Sequence, residues 1–325
     1  MQILRTALFS FAALAIVSYC LSSQADQKSG EDQVIKLKSE LVVVDAQVLS
    51  RRTGTAINGL TKEDFTVYED GVKQYLETFS QDKLPLSIVL LLDVSGSVQP
   101  IIDQVSQHGL EALNQLKAHD EVAVMAFGVW ATVIREFTTD RESVIKEIGF
   151  IKSMGPWIRE HTYIDEAVYQ AAAYSRKAAN PDSRRCIIAI TDNLTNQPEG
   201  VHHFQNEAMQ ELVENGSVVS CILVGDYDAV AADYRNRGWS LTDRMSGYVS
   251  ETGGALVQAT SADASTKLAQ VIDRLRTRYS LGYFSSNPSR DGRFRKIAVA
   301  VSPDVERREG KIAVATRKGY YATRN

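Results

Sequence analysis

The chain has 325 residues, of which 44 % are hydrophobic, so it is long enough for two domains and has the composition of a globular protein. Its 36 Lys and Arg and 40 Asp and Glu give a formal net charge of −4, which excludes the strongly basic composition typical of nucleic-acid-binding proteins. Five His leave little room for histidine-based catalysis or a zinc cluster.

The first 25 residues have the pattern of a secretory signal peptide. An apolar core runs from Ala7 to Leu21, and Ser23-Gln24-Ala25 resembles a small-x-small cleavage site. This pattern predicts that residues 1–25 direct export. Cys20 raises the alternative of a lipoprotein, but Tyr19 stands where lipidation signals have a small residue, which disfavours it.

Residues near both ends of the remaining chain have a β pattern. After a polar segment at 26–33, which we predict to be a disordered linker, residues 34–84 alternate in part and contain an Asp70-Gly71 hairpin signal. Residues 278–325 return to β structure, with a turn at Asp291-Gly292. Because neither piece is large enough to bury a good core alone, we expect them to pair into one β-sandwich-like domain.

Between these pieces, at residues 85–277, apolar strand-like runs alternate with segments of helical period. This alternation predicts an α/β fold, with a doubly wound, mostly parallel sheet covered by helices on both faces and inserted between the two β pieces. The runs at 121–127 and 130–137 are expected to form a β-hairpin, which would be an antiparallel edge of the sheet. The predicted strands are 86–92, 121–127, 130–137, 186–190 and 218–224, and the predicted helices are 100–118, 140–153, 164–179, 204–215 and 262–279.

Three oxygen-bearing side chains follow the first of these strands. The apolar run from Leu86 to Leu92 stops at Asp93, and Ser95 and Ser97 come at alternate positions after it. One carboxylate and two hydroxyls at a strand end offer a divalent cation the hard oxygen ligands it prefers. The plainer alternative is that the two Ser cap the next helix.

Two further loops carry oxygen ligands at places where the predicted topology brings them to the same edge of the sheet. Thr162 opens a predicted helix, and Thr191-Asp192 ends a predicted apolar strand. Each also has a plainer role. Thr162 fits an N-cap with Asp165 or Glu166 reaching back, Asp192 fits a turn, and we expect Asp165 to cap the helix rather than bind a cation.

The three loops together resemble the metal-ion-dependent adhesion site of von Willebrand factor A domains, whose signature is Asp-x-Ser-x-Ser. The resemblance implies Asp93, Ser95, Ser97, Thr162 and Asp192 as ligands of Mg²⁺, or of Mn²⁺ or Ca²⁺, with Asp192 often acting through water. It also implies a binding module whose cation binds an Asp or Glu of a protein partner. Glu160 and His161 depart from the family, in which glycines often precede the Thr.

The flanking β pieces resemble those of a bacterial subfamily of exported proteins related to this domain. The resemblance rests on Leu60 to Gly71, Tyr279 to Phe284, Arg293 to Ile297 and Arg317 to Ala322. It implies a periplasmic or secreted protein. The alternative to adhesion is a structural or assembly role in the cell envelope, in which the metal only stabilises the fold.

Enzyme signatures are absent from the sequence. Haloacid-dehalogenase-type phosphatases have a second acid two residues after the first, and Ser95 stands there. No Gly-x-Ser-x-Gly elbow or Gly-rich phosphate loop is found, and His202-His203 lack the spacing of a zinc protease motif. We therefore expect a binding protein and no catalytic activity.

Two features of the sequence leave alternatives open. Residues 274–325 hold 13 Lys or Arg against 4 Asp or Glu, which fits either solvated strand faces or contact with an anionic envelope surface. Cys186 and Cys221 each begin an apolar run, which favours two buried thiols without deciding whether they pair.

Overall fold

The computed structural model describes residues 41–81, 84–153, 161–195, 203–237 and 242–324. The predicted signal peptide, the linker and the first residues of the N-terminal β piece lie outside these ranges. Within them, none of the helices combines the length and the apolarity that a membrane crossing requires.

Strands and helices alternate in the middle of the chain, and strands dominate towards both ends of the described part. The strands are β1 (Leu41–Ser50), β2 (Phe65–Glu69), β3 (Val72–Gln74), β4 (Leu76–Gln81), β5 (Leu86–Asp93), β6 (Glu121–Phe127), β7 (Ala131–Thr138), β8 (Arg184–Thr191), β9 (Val218–Val224), β10 (Leu256–Ala259), β11 (Tyr279–Phe284), β12 (Phe294–Val301), β13 (Ile312–Thr316) and β14 (Gly319–Tyr321). The helices are α1 (Gln99–Leu113), α2 (Arg141–Phe150), α3 (Ile164–Ser175), α4 (Gln205–Asn215), α5 (Tyr227–Asn236), α6 (Arg244–Thr252), α7 (Ala264–Arg276) and α8 (Pro303–Glu309).

The central sheet has the strand order β10-β9-β8-β5-β6-β7. All neighbours are parallel except β6 and β7, which form the predicted antiparallel edge hairpin. The chain runs outward from β5 to β7 and then returns to β8 beside β5. The strand order therefore reverses between β5 and β8, and ligands of open α/β sheets bind at such a point.

Helices cover the central sheet on both faces, which confirms the doubly wound fold. Every residue of β5 is buried, as its unbroken apolar run requires. One face packs against α1, α2 and α7, through side chains such as Ile102, Ile148 and Leu268. The other packs against α3, α4 and α6, through side chains such as Val168 and Tyr248.

The two β pieces form two further sheets around a third core. One has the order β13-β1-β11-β4 and the other β14-β12-β2-β3, so each combines strands from both sides of the α/β unit. Val44 and Val67 from the first piece and Leu281 and Ile297 from the second share the core. The pairing confirms the β-sandwich-like part of the fold, and Asp70 and Gly71, both at positive φ, form the predicted hairpin turn.

Buried charged groups join the β sandwich to the α/β unit. Arg184 on β8 donates from Nε and Nη2 to the two carboxylate oxygens of Asp45 on β1, at 2.6 and 3.0 Å. Arg278, between α7 and β11, is fully buried and donates to the carbonyl of Gly253 at 2.8 Å. A cleft of about 580 Å³ lies beside the ion pair, with Ser183 among its lining residues.

Several basic residues of segment 274–325 have structural roles. Arg276 forms an ion pair with the buried Asp120, Arg278 is buried, and Arg317 donates to the carbonyl of Val43 at 2.7 Å. The positive charge that this segment offers to a partner is therefore smaller than its composition indicates.

Cys186 and Cys221 are buried, and both are free thiols. Cys186 on β8 packs in the core on one face of the central sheet, and Cys221 on β9 packs in the core on the other. Their side chains therefore point to opposite sides of the sheet, which excludes a disulfide between them. Burial raises the pKa of both thiols, that of Cys186 to about 12.

The predicted element boundaries differ from the structure mainly at helix ends. The helix predicted at 100–118 ends at Leu113, and the one predicted at 164–179 ends at Ser175. The sequence prediction also omitted α5, α6, α8 and β10.

Candidate metal centre

The first loop begins at Asp93, the last residue of the buried central strand β5. Its Oδ1 accepts the backbone N–H of Ser95 at 2.9 Å, and its Oδ2 accepts the hydroxyl of Thr191 at 2.7 Å. Thr191 ends β8, so this bond crosses the point where the strand order reverses. The carboxylate is fully buried and is held by the loop after β5 and by the end of β8.

Ser95 and Ser97 join Asp93 to the third loop. The two hydroxyl oxygens are 3.1 Å apart, and the Ser97 hydroxyl donates to Oδ2 of Asp192 at 2.5 Å. The N-cap of α1 is Val98, and no side chain caps it. The alternative that Ser95 or Ser97 caps this helix is therefore wrong. The Ser97 hydroxyl contacts the acid of the third loop, and the Ser95 hydroxyl contacts Ser97.

The second loop is tied to both neighbouring loops. Thr162 is buried, and its carbonyl accepts the hydroxyl of Thr195 from the third loop at 2.9 Å. The N–H of Tyr163 donates to the carbonyl of Gly128, in the turn after β6, at 2.9 Å. Tyr163, rather than Thr162, is the N-cap of α3, and no side chain caps it. His161 is exposed, as expected of a loop residue.

The third loop is shaped by Asn193, which the sequence analysis missed. Asn193 has φ of 61°, a left-handed conformation that Asn adopts more readily than most residues. Its side-chain amide donates to Asp243 at 2.7 Å and accepts from the N–H of Met245 at 3.1 Å, which fixes the loop to the start of α6. Asn directly after Asp192 is the sequence signal that could have revealed this turn.

Asp165 has a role other than the predicted helix capping. Its Oδ1 accepts the hydroxyl of Tyr248 on α6 at 2.8 Å, and Arg244 lies 3.6 Å from its other oxygen. Burial raises the pKa of Asp165, against the opposing effects of the Tyr248 bond and the Arg244 charge. The prediction that it caps α3 is wrong, because the carboxylate links α3 to α6.

Comparison with known families identifies a domain in the segment that carries these loops. Residues 88–194 match the model of the von Willebrand factor type A domain, and all five predicted ligands lie inside the match. These residues form a von Willebrand factor A domain. A search of curated proteins finds no match.

Solved structures similar to the chain include three of different origin. Proximal thread matrix protein 1 of the mussel byssus is 18 % identical over 60 % of this chain, with a TM-score of 0.46, and the chain spans about half (49 %) of its length. BatB from Bacteroides thetaiotaomicron is 23 % identical over 58 % of this chain and 98 % of its own, with a TM-score of 0.42. A von Willebrand factor type A protein from Catenulispora acidiphila is 11 % identical over 88 % and 74 %, with a TM-score of 0.46.

The predicted ligand set is unlike that of a zinc cluster. In the part of the chain that the structure describes, no group of three or more His, Cys, Asp or Glu is placed to hold a metal ion. The site instead offers two carboxylates, Asp93 and Asp192, with the hydroxyls of Ser95 and Ser97, and the Thr162 loop is bonded to it. Such an all-oxygen set suits Mg²⁺, Mn²⁺ or Ca²⁺.

The spacing of the oxygens fits a small octahedral ion. Mg²⁺ binds oxygen at about 2.1 Å, so neighbouring ligands of its octahedron lie about 3 Å apart. The Ser95–Ser97 and Ser97–Asp192 oxygen separations of 3.1 and 2.5 Å are close to that spacing. The residues present therefore fit a divalent cation.

The electrostatics of the site favour a cation. Burial and, to a smaller extent, the charge of Asp192 together raise the pKa of Asp93 to about 7, against the opposing hydrogen bonds from Thr191 and Ser95. The cost of ionising this carboxylate comes from lost hydration and from a like charge. A divalent cation between the two acids would offset both.

Proposed function

We propose that this chain is an exported binding protein that recognises a carboxylate of a protein partner through a divalent cation. Asp93, Ser95, Ser97, Thr162 and Asp192 hold the cation, and Mg²⁺ is the ion that the ligand spacing fits best. The partner supplies an Asp or Glu side chain as a further ligand. The protein acts by binding and catalyses no reaction.

The observation that carries the proposal is the meeting of three loops at the reversal point of the central sheet. Among the described residues they place two carboxylates at the site, Asp93 and Asp192, which balance the charge of a divalent cation without enclosing it in acids. Hydroxyl ligands are weak donors and leave the cation an effective Lewis acid towards a foreign carboxylate. The apolar segment before Ala25 supports export.

The direct test is calorimetric titration of Mg²⁺ into chelator-treated protein. We expect binding to the wild type, its loss in Asp93→Ala, and its retention in Asp182→Ala. Asp182 is an exposed acid before β8, at the opposite end of that strand from the site, so it is a matched control. Absence of Mg²⁺, Mn²⁺ and Ca²⁺ binding to the wild type would contradict the proposal.

Partner binding is tested by capture from envelope extract, with Mg²⁺ and again with chelator. A protein retained only with Mg²⁺, and lost with Asp93→Ala but kept with Asp182→Ala, supports the proposal. The identified partner should lose binding when one surface Asp or Glu is changed to its amide. Mass spectrometry of the protein isolated from cells tests whether residues 1–25 are removed.

A structural role of the metal is the second candidate function, favoured by the complete burial of Asp93 in the central sheet. In that case the β sandwich makes the main contact in the cell envelope. Partner binding that survives Asp93→Ala, together with a large fall in melting temperature, would support this alternative.

A further inference from the structure

Three exposed aromatic residues lie on segments that border the loops of the proposed metal centre, and none of them is among its predicted ligands. Trp130 lies in the turn between β6 and β7, His161 directly precedes Thr162, and Phe204 precedes α4. Their exposure is large for aromatic residues, with Trp130 at 55 % and Phe204 at 46 %. We call these three residues the aromatic rim.

Hydrogen bonds place the turn carrying Trp130 next to two of the metal-site loops. The N–H of Val94, adjacent to Asp93, donates to the carbonyl of Phe127 at 3.1 Å. On the other side, the carbonyl of Gly128 accepts from Tyr163, and the carbonyl of Trp130 accepts the Gly128 N–H at 3.2 Å. The turn is therefore fixed between the first and second loops.

A second chain of hydrogen bonds fixes the rim around the start of α3. The N–H of Ala131 donates to Gln170 at 2.9 Å, and Gln170 donates to the buried Glu166. Glu166 also accepts the backbone N–H of His203 at 3.0 Å and lies 2.8 Å from its ring nitrogen. His203 directly precedes Phe204. Hydrogen bonds thus connect Glu166 to Ala131, which follows Trp130, and to His203, which precedes Phe204.

Such an arrangement has the properties of a recognition surface. Exposed Trp and Phe rings contribute a large favourable binding free energy when a partner covers them. Aromatic residues are enriched among the side chains that supply most of the binding energy of protein interfaces. Because the backbone beneath the rings is already held, little conformational entropy is lost when a partner covers them.

We infer that the aromatic rim binds an apolar side chain that flanks the carboxylate of the partner. This inference rests on the proposed function and extends it, because the cation selects a carboxylate and the rim selects its neighbour. The partner is then a protein whose exposed loop combines an Asp or Glu with an adjacent aliphatic or aromatic residue. A polar or basic neighbour binds the rim more weakly, because it loses hydration when it packs against the rings.

The test uses short synthetic peptides with a central Asp flanked on both sides by Leu, by Ser or by Lys. Their binding to the full chain is measured in Mg²⁺ and again in chelator. We expect the Leu-flanked peptide to bind about tenfold more tightly than the other two, only with Mg²⁺. Trp130→Ala should remove this preference while leaving the affinity for Mg²⁺ itself unchanged. Tyr75→Ala removes an exposed ring from the β sandwich in the same way, and it should change neither the peptide preference nor the affinity for Mg²⁺.

The possible outcomes separate the inference from the proposed function. Mg²⁺-dependent binding that is the same for all three peptides, or a preference that survives Trp130→Ala, overturns the inference and leaves the metal site intact. A uronic-acid oligosaccharide that binds with Mg²⁺ when no peptide does also overturns it, because the rings would then serve a sugar. If the chain binds no divalent cation, both the proposed function and the inference fail.

Discussion

At the scale of single residues, Asn193 fixes the third loop through both its backbone and its side chain. Its backbone is left-handed, and its buried side chain satisfies Asp243 and the N–H of Met245. Asp192 is the preceding residue, so the position of a predicted ligand follows from the conformation of its neighbour.

Substitution of Asn193 separates the backbone role from the side-chain role. Asn193→Gly keeps the left-handed conformation at no steric cost but loses the two hydrogen bonds, so we expect a lower free energy of unfolding. Asn193→Ala loses the same bonds and adds a left-handed penalty of about 1 kcal/mol. Both variants should bind Mg²⁺ more weakly. Urea unfolding measures the difference, and an Ala variant as stable as the Gly variant would contradict it.

At the scale of elements, α6 connects the metal site to the β sandwich. Its first turn is bonded to Asn193, and the carbonyl of Glu251 in its last turn accepts the N–H of Lys318, before β14, at 2.9 Å. Two glycines then allow close packing. An added Cβ on Gly253 would lie 2.4 Å from the backbone of Thr316, and one on Gly254 would lie 1.8 Å from the carbonyl oxygen of Val219.

Gly254→Ala should therefore be strongly destabilising. The new methyl group meets rigid backbone of β9, and relief requires the end of α6 to move, so we expect a loss of about 3 kcal/mol in the free energy of unfolding. Gly149→Ala on α2 is the matched control, because its Cβ would make only an ordinary contact at 3.8 Å with Ser106. That variant should be neutral or stabilised by up to about 1 kcal/mol. Equal effects of the two substitutions in thermal unfolding would argue against this account.

The sequence predicted long elements better than short ones. The strands at 121–127 and 218–224 have the predicted boundaries, because an unbroken apolar run leaves few alternatives. β10 has only four residues, with alternate ones exposed, so its pattern is too short to distinguish from a loop. Helix α6 had a usable signal, Asp243 as N-cap and Gly253 as left-handed C-cap, that was not used.

Candidate ligands were easier to predict than the groups that position them. Asp93, Ser95 and Ser97 follow a motif within one loop, and the structure joins them to Asp192 through side-chain bonds. The local sequence indicates at most the turn at Asn193, and it contains no motif for the rim residue Trp130. Their roles arise from contacts with segments distant in the chain, which no single-sequence pattern contains.

At the scale of the whole molecule, the Asp45–Arg184 pair couples the β sandwich to the von Willebrand factor A domain and makes stability depend on pH. Burial alone would raise the pKa of Asp45, but the charge and hydrogen bonds of Arg184 outweigh it, so the pKa lies below its ordinary value of 3.8. The folded state thus binds a proton at Asp45 less readily than the unfolded state. The stabilisation is complete above the ordinary pKa and is lost as the pH falls through the lowered one.

Asp45→Asn leaves the buried Arg184 without its counter-charge, so we expect a loss of about 3 kcal/mol at pH 7. The difference from wild type should shrink below about pH 4, because the unfolded wild-type chain then takes up a proton at Asp45 more readily than the folded protein does. Urea unfolding at pH 7, 5 and 3 measures it, with Asp182→Asn, an exposed acid lining the same cleft, as the control. A difference that stays constant down to pH 3 would show that the charge of Asp45 is not the cause.

The position of β1 has a consequence for how the chain folds. Asp45 bonds to Ser280, 235 positions later, and the same strand pairs on its other edge with the still later β13. During synthesis the central sheet can close while β1, with alternate apolar residues, has neither neighbour. Strands left unpaired in this way recruit other chains, and such distant pairings form slowly. During synthesis β1 therefore has no partner strand until β11 and β13 have emerged, which leaves its edges exposed to other chains for that time.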